Sequence, residues 1–189
     1  MNTHFDWLAP VYDRLIRRFS SLETMLELAD LPVAGRLLDV GGGTGRVAEA
    51  LRPYVEQVVV ADASSGMLRQ AVSKDGLQAV CAGAEALPFP DESFDRVVIV
   101  DALHHVADQA ATAGEMWRVL RSGGRIVIQE PDVRTALVKM IALFEKVTLM
   151  RSRFLSLEQM AALFPQANAE VTTREEAFNA WVVVYKVPV

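Results

Sequence analysis

Between Arg36 and Gln129 the chain repeats one pattern, a short unbroken apolar run followed by a stretch with helical spacing. The runs are Arg36 to Val40, Gln57 to Ala61, Leu77 to Ala82, Phe94 to Val100 and Arg125 to Gln129. Helical stretches follow from Arg46 to Leu51, from about Ser64 to Lys74, and from Gln109 to Leu120. A strand with one wet face alternates apolar and polar residues, whereas these runs do not, so they ask to be covered on both faces. Helical crossovers between such strands give a parallel sheet with helices on either side. The link from the third run to the fourth is the exception. Its segment from Leu87 to Ser93 holds two prolines, which leave little or no room for a helix.

The two ends depart from this rhythm. Leu8, Val11, Leu15, Ile16 and Phe19 share one helical face, then Leu22, Met25, Leu26 and Leu28 share another. Ser20 or Ser21 is placed to cap the second of these helices, with Glu23 and Glu27 in its first turns. After the fifth run comes a long apolar helical stretch from Val133 to Met150, and then Ser156, whose spacing to Gln159 is that of a capping box opening a helix to Leu163. Ala169 to Thr173 and Ala180 to Lys186 read as two strands of a hairpin. The expected fold is therefore α/β, Rossmann-like and doubly wound, with a mostly parallel seven-stranded sheet ending in an antiparallel hairpin.

Composition matters for what such a domain can meet. The net charge of -5 gives no general attraction for phosphate backbones, which argues against nucleic acid as partner. Arg14, Arg17 and Arg18 are the nearest thing to a basic patch and read as a solvated helix face. The one cysteine, Cys81, lies in an apolar strand run and reads as a buried residue without metal-ligand spacing around it. No run reaches the roughly 18 apolar residues of a membrane span, and the N-terminus lacks the features of a signal peptide, so the cytoplasm is the expected location. Oligomeric state is not readable.

Asp39-Val-Gly-Gly-Gly-Thr-Gly45 lies between an expected strand and an expected helix, where glycines permit a tight turn and a close approach of backbone to ligand. Asp62 ends the next strand, where a carboxylate can accept from ribose hydroxyls. The spacing D-x-G-x-G-x-G differs from the dinucleotide pattern G-x-G-x-x-G, whose last glycine is replaced here by Arg46. A pyrophosphate needs free amides at a helix start. An ammonium group is better served by a carboxylate such as Asp39, directly or through water, and the zwitterionic methionine part of S-adenosylmethionine fits that need. An NAD-dependent oxidoreductase is the weaker alternative.

Leu37 to Arg46 resembles the first motif of the class I S-adenosylmethionine-dependent methyltransferases, and Val59 to Leu68 is similar to their second-strand segment. Glu85 to Asp95, Ala102 to Val106 and Glu115 to Arg125 follow in the family's order and spacing. Phe5 to Asp13 resembles the entry helix of the branch containing the ubiquinone and menaquinone C-methyltransferases. The resemblance implies that Gly41, Gly43 and Gly45 line the methionine part of S-adenosyl-L-methionine, that Asp62 holds the ribose, and that Ala63 and Met67 flank the adenine. The family often has an Asp two residues before Glu85 on the adenine amine. This chain has Gly83 there, so the contact falls to the backbone at Ala84, to Glu85, or is missing. One domain is expected over residues 1–189, with a helical lid at 1–33, a cofactor-binding core at 34–131 and a substrate side at 132–189.

Methyl transfer from a sulfonium is an in-line displacement in which alignment of the acceptor supplies much of the rate. An oxygen or carbon acid also needs a proton removed. Asp101, His104 and His105 follow the fourth run, at the carboxyl edge where α/β ligands bind. His105, His104 and Tyr12 are the catalytic candidates, and Asp101 joins the cofactor set. The bland reading of the histidines is that one packs and the other is solvated; that of Tyr12 and Asp13 is helix packing. Asp101 with Asp132 lacks a third ligand for Mg²⁺, so no metal is expected. Trp117 and Trp181 read as core. The expected reaction is methylation of a small, lipophilic or quinone-like molecule, releasing S-adenosyl-L-homocysteine. A protein that binds the cofactor without turnover, as a regulatory or assembly partner, is the competing class.

Overall fold

The computed structural model describes residues 22–131, 153–176 and 179–189. It begins with helix α1 (Leu22–Leu28), followed by β1 (Val33–Val40), α2 (Arg46–Leu51), β2 (Val55–Asp62), α3 (Ser65–Ala71) and β3 (Leu77–Cys81). Then come β4 (Phe94–Val100), a 3₁₀ turn (Leu103–His105), α4 (Gln109–Val119) and β5 (Leu120–Pro131). The last elements are α5 (Leu157–Ala161), β6 (Ala169–Glu176) and β7 (Asn179–Lys186). The strands form one sheet in the order β3-β2-β1-β4-β5-β7-β6. The pairs from β3 across to β5 are parallel, whereas β7 runs antiparallel to both β5 and β6. The doubly wound sheet with its terminal hairpin is thus the one the apolar runs predicted. Between β1 and β4 the order reverses, which opens a crevice at the carboxyl ends of these strands.

Strand periodicity divides the core into two layers. Leu38, Val40, Val59 and Ile99 face one way, against Ala113, Met116 and Val119 of α4 and Met160 of α5. Leu37, Val58, Val60 and Val98 face the other, against Met25 of α1, Leu51 of α2 and Leu68 and Ala71 of α3. Both faces are therefore dry, as unalternated runs require. Arg96 of β4 anchors α1 by donating to the carbonyls of Ala29 and Asp30 at its carboxyl end, groups the helix itself leaves unpaired.

The link between β3 and β4 has no helix. It is held instead by Arg118 of α4, which donates to the carbonyls of Leu87 (3.0 Å) and Phe89 (2.7 Å) while Glu115 accepts from the Leu87 amide at 2.8 Å. Ser64 caps α3 and the capping box of Ser156 with Gln159 opens α5, though that helix ends at Ala161 and not at Leu163. The α3 helix likewise spans less than the expected Ser64 to Lys74.

Two expectations need correction. Cys81 is exposed, because β3 is an edge strand whose residues lie only partly under α3. Trp117 is half-buried beneath the Lys186 ammonium, 5.1 Å from the ring centroid, while Trp181 is a fully buried core residue. Tyr12, Asp13, the three arginines at 14, 17 and 18, Ser20, Ser21, Asp132 and the apolar stretch 133–150 lie outside the described residues. Among the described residues no helix is long and apolar enough to cross a membrane.

Candidate functional site

A cavity of about 360 Å³ opens at the carboxyl ends of β1 to β4, at the reversal of strand order. Its floor is the glycine loop after β1. Gly41, Gly43 and Gly45 all hold positive φ, at 65°, 54° and 73°. At Gly41 the demand is also steric, since a Cβ there would stand 2.7 Å from that of Ala102. At Gly42 a Cβ would stand 2.5 Å from the carboxylate of Asp39, so the loop can lie over that acid only where it is bare.

Asp39 is 1% exposed, and its Oδ2 makes no hydrogen bond among the described residues. Burial, only partly opposed by the Arg46 guanidinium and the Ala48 amide, lifts its pKa to about 7. A buried carboxylate oxygen without a donor is costly and therefore an attractive seat for a cation. Asp62, at the end of β2, is braced differently. Its Oδ2 accepts from the Gly43 amide at 2.9 Å and its Oδ1 from the Ser64 amide at 2.7 Å, so it ties the glycine loop to the start of α3. Burial raises its pKa, and those two amides act against the rise.

Asp101 follows β4 with φ of 52°, an uncommon conformation for a residue with a side chain. Its carboxylate lies 3.9 Å from Arg46, and burial together with Glu130 pushes its pKa to about 6. Four carboxylates, Asp39, Asp62, Glu85 and Asp101, thus line the cavity together with the Arg46 guanidinium. Ala63 and Met67 form an apolar wall on the α3 side, opposite Ala82, Gly83, Ala84 and Glu85 from the exit of β3.

The two histidines take different places. His105 lines the cavity, and burial with the neighbouring His104 lowers its pKa to about 3. It is a neutral imidazole at ordinary pH, suited to hydrogen bonding and poorly suited to taking a proton. His104 is 4% exposed, outside the cavity wall, with Nδ1 against Glu130 and its ring stacked on Phe154 at 4.4 Å. Of the sequence candidates, Asp39, Gly41, Gly43, Asp62, Ala63, Met67, Ala84, Glu85, Asp101 and His105 meet in one cavity. Gly45 lies just behind it as the N-cap of α2. Tyr12 lies outside the described residues. Sequence reasoning passed over Arg46 and Ser64, which also line the cavity. Their signal was position alone, the first residue after the glycine loop and the cap after Asp62.

Residues 38–128 match the family model described as a methyltransferase domain. That match and the relatives it brings with it support a class I methyltransferase domain. The domain is similar to demethylmenaquinone methyltransferase of Clavibacter sepedonicus, 40% identical over 136 residues that cover 67% of this chain and 56% of that protein. It is also similar to the ubiquinone/menaquinone biosynthesis C-methyltransferase UbiE of Stenotrophomonas maltophilia, 41% identical over 120 residues that cover 57% of this chain and 47% of that protein. The chain spans about half the length of the curated relatives it matches. Among solved structures, a possible histamine N-methyltransferase of Thermotoga maritima superposes with a TM-score of 0.79 at 25% identity, covering 96% of this chain and 97% of that one.

Proposed function

We propose that the chain transfers a methyl group from S-adenosyl-L-methionine to a small organic acceptor by in-line displacement. The cofactor supplies a methyl group on a positively charged sulfur. The observation that carries this reading is the cavity's ring of carboxylates, above all the unpaired Asp39 oxygen under the glycine loop. A pyrophosphate placed there would meet Asp39, Asp62 and Asp101, whereas an ammonium and a sulfonium are favoured by them. In this arrangement Asp39 and the glycine loop hold the amino-acid part, Arg46 stands near its carboxylate, and Asp62 holds the ribose. Ala63 and Met67 sandwich the adenine.

His105 in the wall beside Asp101 is placed to orient the acceptor by a hydrogen bond, and its low pKa keeps it neutral while it does so. The names of the relatives support a small, quinone-like acceptor, and the acidic chain argues against nucleic acid.

Calorimetry with S-adenosyl-L-homocysteine and with NAD tests the cofactor. Heat from the first and none from the second is expected, and the reverse would refute the reading. Asp62→Ala should weaken S-adenosyl-L-homocysteine by about 1–3 kcal/mol, the range for hydrogen bonds to a charged acceptor. Release of S-adenosyl-L-homocysteine across a panel of quinols, phenols and amines then tests turnover, and efficient methylation of RNA in place of every small acceptor would overturn the substrate class.

A further inference from the structure

We infer that Glu130 is a positioning residue that acts through His104 to place the His105 ring in the cavity wall. This rests on the reading of the cavity given above, in which His105 orients the acceptor. Glu130 lies near the end of β5, 5% exposed, and both of its oxygens serve one short turn. Oε1 accepts from the Leu103 amide at 2.8 Å, and Oε2 lies against Nδ1 of His104. A single carboxylate therefore pins the two residues before His105, one by its backbone and the other by its side chain. The His105 amide completes the turn by donating to the carbonyl of Ala102 at 3.0 Å.

The rings continue this support. His104 stands between Phe154, stacked at 4.4 Å, and His105, whose ring centroid is 3.9 Å away at a tilt of 47°. Gln109 donates to the carbonyls of Leu103 at 3.0 Å and Arg153 at 2.7 Å. The Arg153 amide in turn donates to the carbonyl of His104 at 2.8 Å, so the neighbour of Phe154 is bonded to the turn that its ring braces. An ionised carboxylate only accepts, so it demands an N–H at Nδ1 of His104. A carboxylate this deeply buried is costly without its donors, and the turn is thereby held in the arrangement that supplies both. His105 leans on a ring that cannot turn, and the same ring helps to keep it neutral.

The test is proton–nitrogen correlation NMR of histidine-labelled protein near neutral pH, on the unaltered chain and on Glu130→Gln, with His105→Gln to assign the signals. Calorimetry with S-adenosylhomocysteine accompanies it. Glu130→Gln keeps an oxygen for the Leu103 amide but turns an NH₂ toward His104, so Nδ1 must accept and the ring proton moves to Nε2. Nδ1 of His104 is expected to carry a proton in the unaltered chain and to be bare in Glu130→Gln, and the His105 ring signals are expected to shift with it. Affinity for S-adenosylhomocysteine is expected to stay within about threefold, since its own partners are untouched. A carboxylate that served stability alone would lower the melting midpoint and leave the His105 signals in place, which overturns the inference. A bare Nδ1 on His104 in the unaltered chain overturns it without any variant. A fall in affinity beyond about tenfold also does so, because Glu130 would then support the whole cavity. If Glu130→Gln does not fold, His104→Asn decides, since it keeps an N–H for the carboxylate and deletes the ring. Shifted His105 signals there support the inference and unmoved ones overturn it. An unaltered chain that binds no S-adenosylhomocysteine refutes the cavity reading itself, whatever the histidines show, and the inference falls with it.

Discussion

Asp39→Asn should gain stability over the unaltered chain as pH rises, by about 3 kcal/mol between pH 5 and pH 8 in the absence of ligand. The folded-state pKa of about 7 exceeds the ordinary 3.8, so between those values the folded chain holds a proton that the unfolded chain has released. Stability from this group is therefore present at low pH and lost as pH climbs toward 7. Asparagine carries no such proton and removes the loss. Asp101 and His105 titrate in both proteins, and their contributions cancel in the difference. Urea denaturation of both proteins at the two pH values measures it, and a difference that stays flat with pH would show that Asp39 is not buried as a strained acid. The same substitution should abolish tight binding of S-adenosylhomocysteine.

Trp181→Ala is expected to cost about 3–5 kcal/mol, the range for removing a buried aromatic side chain. Trp181 is 0% exposed and belongs to the layer that includes Met25 of α1 and Leu51 of α2, paired across β7 and β5 with Gln129. Its indole N–H has no hydrogen bond among the described residues, so the loss is one of volume and contacts and not of a polar partner. Trp181→Phe should therefore recover most of the deficit. Chemical denaturation reads both, and a cost below about 1 kcal/mol for alanine would mean the layer collapses around the gap.

What the residues disclosed and what they hid follow one physical divide. Glycines that must hold positive φ, an acid at a strand end, a serine three residues before a glutamine and a run without alternation are all local, and each was legible. The hairpin was legible because Asn179 to Lys186 and the preceding run lie close in sequence. Cys81 misled because an apolar strand reads alike in the middle and at the edge of a sheet, and only the crossover order puts β3 outside. His104 meets a Glu 26 residues away, and Glu85 meets amides 22 and 23 residues on. Such pairings depend on which strand exits lie side by side. Spacing along the chain carries no trace of them. The charge state of Asp39 was hidden for the same reason, since burial is a property of everything packed around it.

The two borders of the sheet are built to different standards. On β6, Glu170, Arg174, Glu175 and Glu176 line a border where a stray strand would have to bring its backbone past four charges. On β3, Leu77 to Cys81 carries no charge at all, and its open side meets no other strand among the described residues. Unpaired backbone on an uncharged border is a template for another chain. Among the described residues, the five of β3 are thus the border most open to pairing with another chain during refolding at high concentration. A lysine at Gln78, on an exposed position of that border, is the natural place to blunt it without touching the cavity.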